Sequence, residues 1–300
     1  MPLTTRVRPR LAVDLSLTLG PLRRPHGDPC VRVDRSGAWW RATRTPDGPA
    51  TVRIAVDGTD IEAAAWGDGA AWAVTAVPEL LGSRDSLDGF EPGPGVVREL
   101  HRRMPGLRIG RSNAVFEALL PTVIAQKVIG VQAGASYRAL VRAYGEPAPG
   151  PLPLLLPPAP AVLAATPTYA FHPLGLEARR AGVIREAARR ANRLEEALDM
   201  NPTDATKRLR AIPGIGVWTA AEVAAVALGD PDAVSVGDYH LANTVAWALA
   251  GEPRADDERM LELLEPFAGH RGRVVRLIEA AGIAPPRFGP KLPLQPIAGI

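Results

Sequence analysis

The sequence predicts an α+β protein in which a small antiparallel β-sheet is followed by a mostly α-helical region. Between residue 11 and about residue 75, short segments alternate polar and apolar side chains, as in residues 51–56 (TVRIAV). Turn residues separate these segments, among them Asp57-Gly58, a pair typical of a tight hairpin. From Val96 onward, apolar residues recur instead with the spacing of one helix face.

A segment rich in proline and glycine, residues 89–95 (GFEPGPG), separates the two patterns and predicts a domain boundary. We therefore expect a β-rich N-terminal domain over residues 1–92 and a helical core over residues 93–284. Residues 285–300 are again rich in proline and glycine, and we expect them to form a loose tail.

The individual elements follow in chain order from the same signals. Strands are predicted at residues 15–19, 30–33, 38–43 and 51–56, and a helix near 71–81. Further helices are predicted at residues 96–103, 114–131, 134–144, 161–165, 176–198, 217–228, 242–249, 258–264 and 273–281. Ser112 or Asn113 is expected to cap the helix at 114–131, and Asn201 the helix that leads to residue 213.

The composition of two stretches predicts their conformation or their exposure to solvent. The proline-dense residues 146–160 (EPAPGPLPLLLPPAP) should be an extended connection, because proline lacks a backbone donor and cannot continue a helix. The arginines between residues 179 and 193 have helical spacing and should form one solvated helix face.

Composition limits the class of protein. The chain has 300 residues and is 46% hydrophobic, which is typical of a globular protein with a substantial core. A single cysteine excludes a disulfide framework, and no apolar run reaches the ~20 residues of a membrane span. The N-terminus lacks the apolar stretch of a secretory signal, so we expect a cytoplasmic protein without a membrane partner. The net charge is only +3, but clustered arginines favour contact with phosphate.

The most informative turn is Pro213-Gly214-Ile215-Gly216. Pro213 ends the preceding helix, and the two glycines allow positive φ and leave room for a close approach by a ligand. The backbone amides that open the next helix lie at the positive end of its dipole, where a phosphate binds readily. An ordinary corner between two helices is the alternative interpretation of this motif.

A polar elbow follows at residues 235–239, and it carries one acid, Asp238, among small or uncharged neighbours. A carboxylate in such an elbow can stabilise a developing cation in a reaction. It can also cap the helix that begins near Leu241, and the two roles are compatible.

Together these motifs resemble the helix-hairpin-helix DNA glycosylases. The hairpin pattern of that family is matched by Leu209, Ile212, Pro213, Gly214, Ile215, Gly216, Trp218, Thr219 and Ala220, within a predicted helix-hairpin-helix at about 205–228. Val236-Gly237-Asp238 lies where the family has its aspartate. The N-terminal Asp14, Ser16, Leu19 and Gly20 match an opening motif of the alkyl-base members. The resemblance implies a glycosylase core of two helical subdomains with the active-site cleft between them.

Trp218 indicates the branch of the family. Members that also cut the DNA backbone carry a lysine there, which forms a Schiff base with the sugar. The chain is therefore similar to the 3-methyladenine DNA glycosylase II type, which only removes the base. Cys30 is the only cysteine, so we expect no iron–sulfur cluster, and the histidines lack zinc-site spacing.

The resemblance also implies a role for each site residue. Asp238 would be the catalytic carboxylate, and Trp218, Tyr239 and Glu222 would line the base pocket. The DNA backbone would lie on Pro213, Gly214, Ile215, Gly216 and Thr219, and a monovalent cation could sit on the backbone carbonyls of Arg210, Ile212 and Ile215. Gln126 and Lys127 occupy the positions of the wedge that fills the gap left by a flipped nucleotide.

Several of these assignments have alternatives. Lys127 stands where relatives have leucine, so plain phosphate binding by its amine is the other interpretation. Trp218 could be an ordinary core residue. Glu222 replaces an aromatic residue of relatives, and aliphatic Leu277 and Ile278 replace a tryptophan, which predicts an altered or narrower base range.

The sequence thus predicts a monomeric base-excision enzyme that acts on double-stranded DNA with damaged, alkylated bases. The alternative is a non-catalytic DNA-binding or damage-sensing protein on the same fold. A dinucleotide-binding oxidoreductase is excluded, because no GxGxxG follows a predicted strand.

Overall fold

The computed structural model describes residues 1–25 and 27–286. Their N-terminal part forms a five-stranded antiparallel sheet of order β1-β5-β4-β3-β2. The strands are β1 (Leu3–Val7), β2 (Val31–Val33), β3 (Trp39–Thr45), β4 (Gly48–Asp57) and β5 (Asp60–Trp66). The predicted sheet is confirmed, including the tight β4–β5 turn, where Gly58 has φ +62° and Asp57 pairs with Asp60.

Residues 15–19 were predicted as a strand, and this prediction is wrong. They form a short helix, α1 (Leu15–Leu19), whose start is capped by Asp14 accepting from the Leu17 amide at 3.0 Å. Leu15, Thr18 and Leu19 are buried with helical spacing, so the apparent alternation of LSLTL also fits one helical turn. The edge strand β1 lies before the region in which strands were predicted.

The rest of the chain is helical apart from its connections. The other helices are α2 (Ala70–Leu80), α3 (Val96–Arg103), α4 (Val115–Ala125), α5 (Gly130–Tyr144), α6 (Pro160–Ala165), α7 (Ala178–Arg189), α8 (Ala191–Glu195), α9 (Pro202–Arg210), α10 (Val217–Val223), α11 (Leu241–Ala250), α12 (Asp257–Leu264) and α13 (Arg271–Ala280). After α10 the helix continues through Leu228 with π-type hydrogen bonding. The predicted helices at 114–131 and 176–198 are each broken in two.

Two cores organise these elements. The larger one packs one face of the sheet against α2, α4, α5, α7 and α10. The second gathers α3, α11, α12 and α13, with Val245, Met260, Leu264 and Val274 completely buried. The predicted α+β fold with two helical subdomains is therefore confirmed. The proline-dense segment packs on the other face of the sheet, where Leu154 and Leu156 cover Trp40.

The start of α4 is not capped as predicted. Neither Ser112 nor Asn113 caps it; instead, the Glu195 carboxylate accepts from the Val115 and Phe116 amides, both at 2.8 Å. Burial raises the pKa of Glu195, and these two amide bonds oppose the shift. Asn113 has φ +51° and donates to Glu79 at 2.7 Å. A cap supplied by a distant helix leaves no local sequence signal.

Arg180 also departs from the predicted solvated face. Only 2% of it is exposed, and its guanidinium donates to the Ile124 carbonyl and to the Glu177 carboxylate, both at 2.6 Å. Ile124 lies in the last turn of α4, whose carbonyl groups have no partner within the helix. Arg180 therefore holds α7 against the end of α4.

A buried ion cluster ties the connection after α2 to α13. The side chain of Asp85 is completely buried, and its carboxylate pairs with Arg273, which is 1% exposed. The same carboxylate lies 4.0 Å from a guanidinium nitrogen of Arg108, which is 5% exposed. The Ile109 amide also donates to Asp85 at 3.1 Å. One carboxylate thus neutralises two buried guanidinium groups in part.

Within residues 1–25 and 27–286, no helix is both long and apolar enough to cross a membrane. The predicted loose tail, residues 285–300, lies outside the described residues except for its first two positions.

Candidate active site

The hairpin between α9 and α10 has the predicted turn. Asn201 caps α9, accepting from the Asp204 amide at 3.0 Å as predicted. Gly214 has φ +94°, and a Cβ there would lie 2.3 Å from Val183 Cγ2, so both backbone and packing require glycine. Gly216 precedes α10, whose first turn has no side-chain cap. The amide groups in the first turn of α10 are therefore available to an anion.

The five predicted backbone-contact residues of the hairpin divide into two groups. Pro213, Gly214 and Gly216 are exposed. Ile215 and Thr219 are buried, at 5% and 2% exposure, and support the turn from within.

The turn between α4 and α5 lies against the hairpin. Gln126 follows the last residue of α4, and its amide donates to the Gly214 carbonyl at 3.0 Å and to the Thr219 hydroxyl at 2.9 Å. Lys127 is exposed and has φ +56°, a conformation that a residue with a Cβ rarely adopts. The two residues predicted as a wedge thus point to different surroundings: Gln126 bonds to the hairpin, and Lys127 faces solvent.

Replacing Lys127 with glycine is expected to raise the free energy of unfolding by about 0.5–1 kcal/mol. Relief of the left-handed backbone should exceed the extra entropy that glycine has in the unfolded chain. Urea unfolding of the wild type and Lys127→Gly measures the change. Lys207→Gly, within helix α9, is the matched control and should lower stability by about 1 kcal/mol. A loss of stability in both variants would contradict the argument.

Asp238 occupies the elbow before α11 and uses both carboxylate oxygens. Oδ1 accepts from the amides of His240 and Leu241, at 2.8 and 3.0 Å, so it caps α11. Oδ2 accepts from Trp218 Nε1 at 3.1 Å. Capping and a position suited to chemistry therefore coexist, and three hydrogen bonds hold the half-buried carboxylate in one orientation.

Asp238 lines a cavity of about 130 Å³ that opens between the two cores. Leu80 and Val226 line it from the larger core, and Leu241 and Val275 from the second. The charged residues that line it are Glu222, Asp230, Asp238, Glu279, Arg108 and Arg276. Among the lining residues of the described chain, none is aromatic.

Of the three predicted base-pocket residues, only Glu222 lines this cavity. Trp218 is half-buried and supports Asp238 from the hairpin side. Tyr239 is 77% exposed, and its ring packs edge-on against His240 at 4.7 Å between centroids. Leu277 and Ile278, predicted where relatives have an aromatic residue, are buried in the second core, since α13 turns Gly272, Val275, Arg276 and Glu279 towards the cavity.

The cavity has a negative balance of charge. Glu222 accepts a short hydrogen bond from the Ser235 hydroxyl. Burial raises the pKa of Asp230. Arg276 pairs with Glu279 at 3.5 Å, and the Glu279 side chain is half-exposed.

Sequence reasoning missed Ser235, Asp230, Arg276 and Glu279 as parts of the cavity. Arg276 and Glu279 stand three positions apart on α13, a spacing that is usually an exposed ion pair. Only their position opposite α10 in the folded chain distinguishes Arg276 and Glu279 from an ordinary exposed ion pair. No group of three or more His, Cys, Asp or Glu side chains that could hold a metal ion occurs among the residues that the structure describes.

The chain resembles known proteins in sequence and in fold. No family model matches the chain. A curated relative from Mycobacterium tuberculosis, a probable bifunctional transcriptional activator/DNA repair enzyme AlkA, is 30% identical over 169 residues. This stretch is 55% of the present chain and spans about a third of the relative, 32% of its length.

Solved structures with the same fold include two DNA glycosylases. The 3-methyladenine DNA glycosylase from Archaeoglobus fulgidus is 22% identical, with a TM-score of 0.78 over 92% of this chain and 97% of that one. The 8-oxoguanine glycosylase/lyase from Clostridium acetobutylicum is 14% identical, with a TM-score of 0.71 over 93% and 97%. The chain therefore has the fold of the helix-hairpin-helix DNA glycosylases, and the resemblance to them that its hairpin motif predicted is confirmed.

Proposed function

We propose that this chain is a monofunctional DNA glycosylase that hydrolyses the N-glycosidic bond of alkylated purines in double-stranded DNA. The observation that carries the proposal is the placement of Asp238. Its carboxylate is held by Trp218 and by the start of α11, and the residue lines a cavity. Asp238 lies one helix away from an exposed hairpin, and the helix after that hairpin has no side-chain cap.

The hairpin and the neighbouring turn would bind the damaged strand. The amide groups at the start of α10 would donate hydrogen bonds to a phosphate, and a monovalent cation on the carbonyls of Arg210, Ile212 and Ile215 would bridge to it. Lys127, exposed beside the hairpin, would fill the gap left by the nucleotide or bind a phosphate. Extrusion of a base costs a few kcal/mol, and least for a damaged pair.

Asp238 would act on the sugar. As the bond between C1′ and the base breaks, its electron pair leaves with the base and the sugar gains oxocarbenium character. The fixed carboxylate stabilises that cation and orients a water, whose oxygen bonds to C1′ while one of its protons passes to the carboxylate and then to solvent. An N-alkylated purine already carries positive charge, so it departs without a strong general acid. Trp218 stands where a lyase would carry lysine, which favours hydrolysis alone.

The release of free bases tests the proposal. Purified protein is incubated with randomly methylated genomic DNA, and released bases are identified by chromatography. Free methylated purines with intact, unnicked abasic strands are expected. Binding of methylated DNA without base release would favour the alternative, a damage-sensing protein on the same fold. The absence of aromatic side chains among the described residues that line the cavity argues for that alternative.

Gln126→Met is expected to separate DNA binding from base excision. The substitution keeps the side-chain volume but removes the amide that joins the α4–α5 turn to Gly214 and Thr219. The hairpin keeps its own Ile215–Ile212 hydrogen bond of 3.0 Å, so affinity for undamaged duplex should change by less than about threefold. Excision should fall by about tenfold, because Lys127 loses its support.

Fluorescence anisotropy with undamaged duplex and single-turnover excision measure the two effects. Val162→Met, at an exposed position of α6, provides a control methionine substitution. Equal losses of binding and excision in Gln126→Met would mean that Gln126 only stabilises the hairpin.

A further inference from the structure

The cavity beside Asp238 differs from an aromatic base pocket in what it offers a ligand. Among the described residues that line it there is no π face, but there is a carboxylate, Glu222, whose position is fixed. Ser235 donates to Glu222 Oε1, which leaves Oε2 as an acceptor on a half-buried side chain. A base held there would be selected by hydrogen bonding and charge rather than by stacking.

A second group in the same cavity has an unmet hydrogen-bonding requirement. Arg108 lines it, is 5% exposed, and has one buried guanidinium nitrogen, Nη1, without a hydrogen-bond partner. The nearest carboxylate, Asp85, is 4.0 Å from that nitrogen, and the Nε of Arg108 is bound to the Ala12 carbonyl at 3.0 Å. A buried charged donor without a partner is unfavourable. Nη1 has almost no accessible surface of its own, so the guanidinium would shift towards the cavity to pair with a ligand acceptor there.

We infer that Glu222 is a specificity-determining residue that accepts a hydrogen bond from the exocyclic amino group of the extruded base, with Arg108 as the complementary donor. This inference rests on the proposed function. The selected class is the purine cation that carries an amino group beside a ring nitrogen or carbonyl acceptor. Hypoxanthine lacks the amino group, and 1,N6-ethenoadenine has it closed into a ring, so both would leave the Glu222 acceptor unpaired.

Sites built to hydrogen-bond a group reject ligands without it far more strongly than apolar pockets do. The wild type is therefore expected to accelerate the release of 3-methyladenine, relative to its uncatalysed release, at least ~10-fold more than that of hypoxanthine or ethenoadenine under single-turnover conditions. Glu222→Gln removes the negative charge and adds a donor. It should slow 3-methyladenine release by ~10-fold and leave hypoxanthine release unchanged or faster, because the new amide can donate to the hypoxanthine carbonyl.

Two further variants complete the experiment. Ser235→Ala removes the hydroxyl that orients Glu222. It should lower the ratio of the 3-methyladenine rate to the hypoxanthine rate, but by a smaller factor than Glu222→Gln does. Glu258→Gln, an exposed acid on α12 outside the cavity, should leave every rate unchanged. Thermal unfolding of each variant checks that the fold is kept.

The outcomes separate the inference from the proposed function. A wild type that accelerates the release of all three bases by similar factors overturns the inference while the glycosylase activity stands. An equal loss on all substrates in Glu222→Gln also overturns it, since Glu222 would then serve catalysis or folding. A wild type that releases no base from any substrate overturns the proposed function, and the inference with it.

Discussion

Asp238→Asn is expected to lower base excision by at least ~10²-fold while leaving duplex affinity within about threefold of the wild type. The substitution keeps the shape of the side chain and removes its negative charge, on which stabilisation of the sugar cation depends. Asparagine is as good a helix cap as aspartate, so the hydrogen bonds to His240 and Leu241 can remain. Single-turnover excision and fluorescence anisotropy on the same methylated duplex measure the two quantities.

Asp256→Asn is the matched control for this change. Asp256 caps α12, accepting from the Arg259 amide at 2.9 Å, and does not line the cavity. Its substitution should leave excision unaltered. Retention of excision by Asp238→Asn would mean that Asp238 is only the cap of α11 and would remove the basis of the proposed mechanism.

Asp85→Asn is expected to lower the free energy of unfolding by about 3–5 kcal/mol. The carboxylate is completely buried, and its removal leaves Arg273 and Arg108 as two buried positive charges without a counter-charge. The asparagine carbonyl can still accept from the Ile109 amide, so the loss is mainly electrostatic. Urea unfolding followed by circular dichroism measures it.

Asp57→Asn is the control for an exposed ion pair. Asp57 pairs with Arg6 at the surface, where the two side chains are 53% and 55% exposed. Water screens this pair, so its loss should cost less than about 1 kcal/mol. If the two substitutions lowered the free energy of unfolding by similar amounts, burial would not make the Asp85–Arg273 pair more important for stability than the exposed Asp57–Arg6 pair.

Many of the correct structural predictions came from local sequence motifs. The hairpin turn, the Asn201 cap and the strand–turn pattern depend on neighbours within a few positions, and the structure has all of them. Predictions failed where a distant group decided the local structure. Glu195 replaces the expected cap of α4, and Arg180 leaves the predicted exposed face because the end of α4 needs a donor.

The sequence by itself determined the order of sheet and helices, the hairpin, and the position of Asp238 after the hairpin. These features depend on the backbone restriction by proline and glycine and on helical periodicity, which are local properties. Only the tertiary structure decided what surrounds that acid. The cavity is formed by α1, α10, α11, α13 and the loop at Arg108, which are distant in sequence. Their packing turns Tyr239 to solvent, brings Glu279 opposite Glu222, and thereby sets the charge that a base would meet.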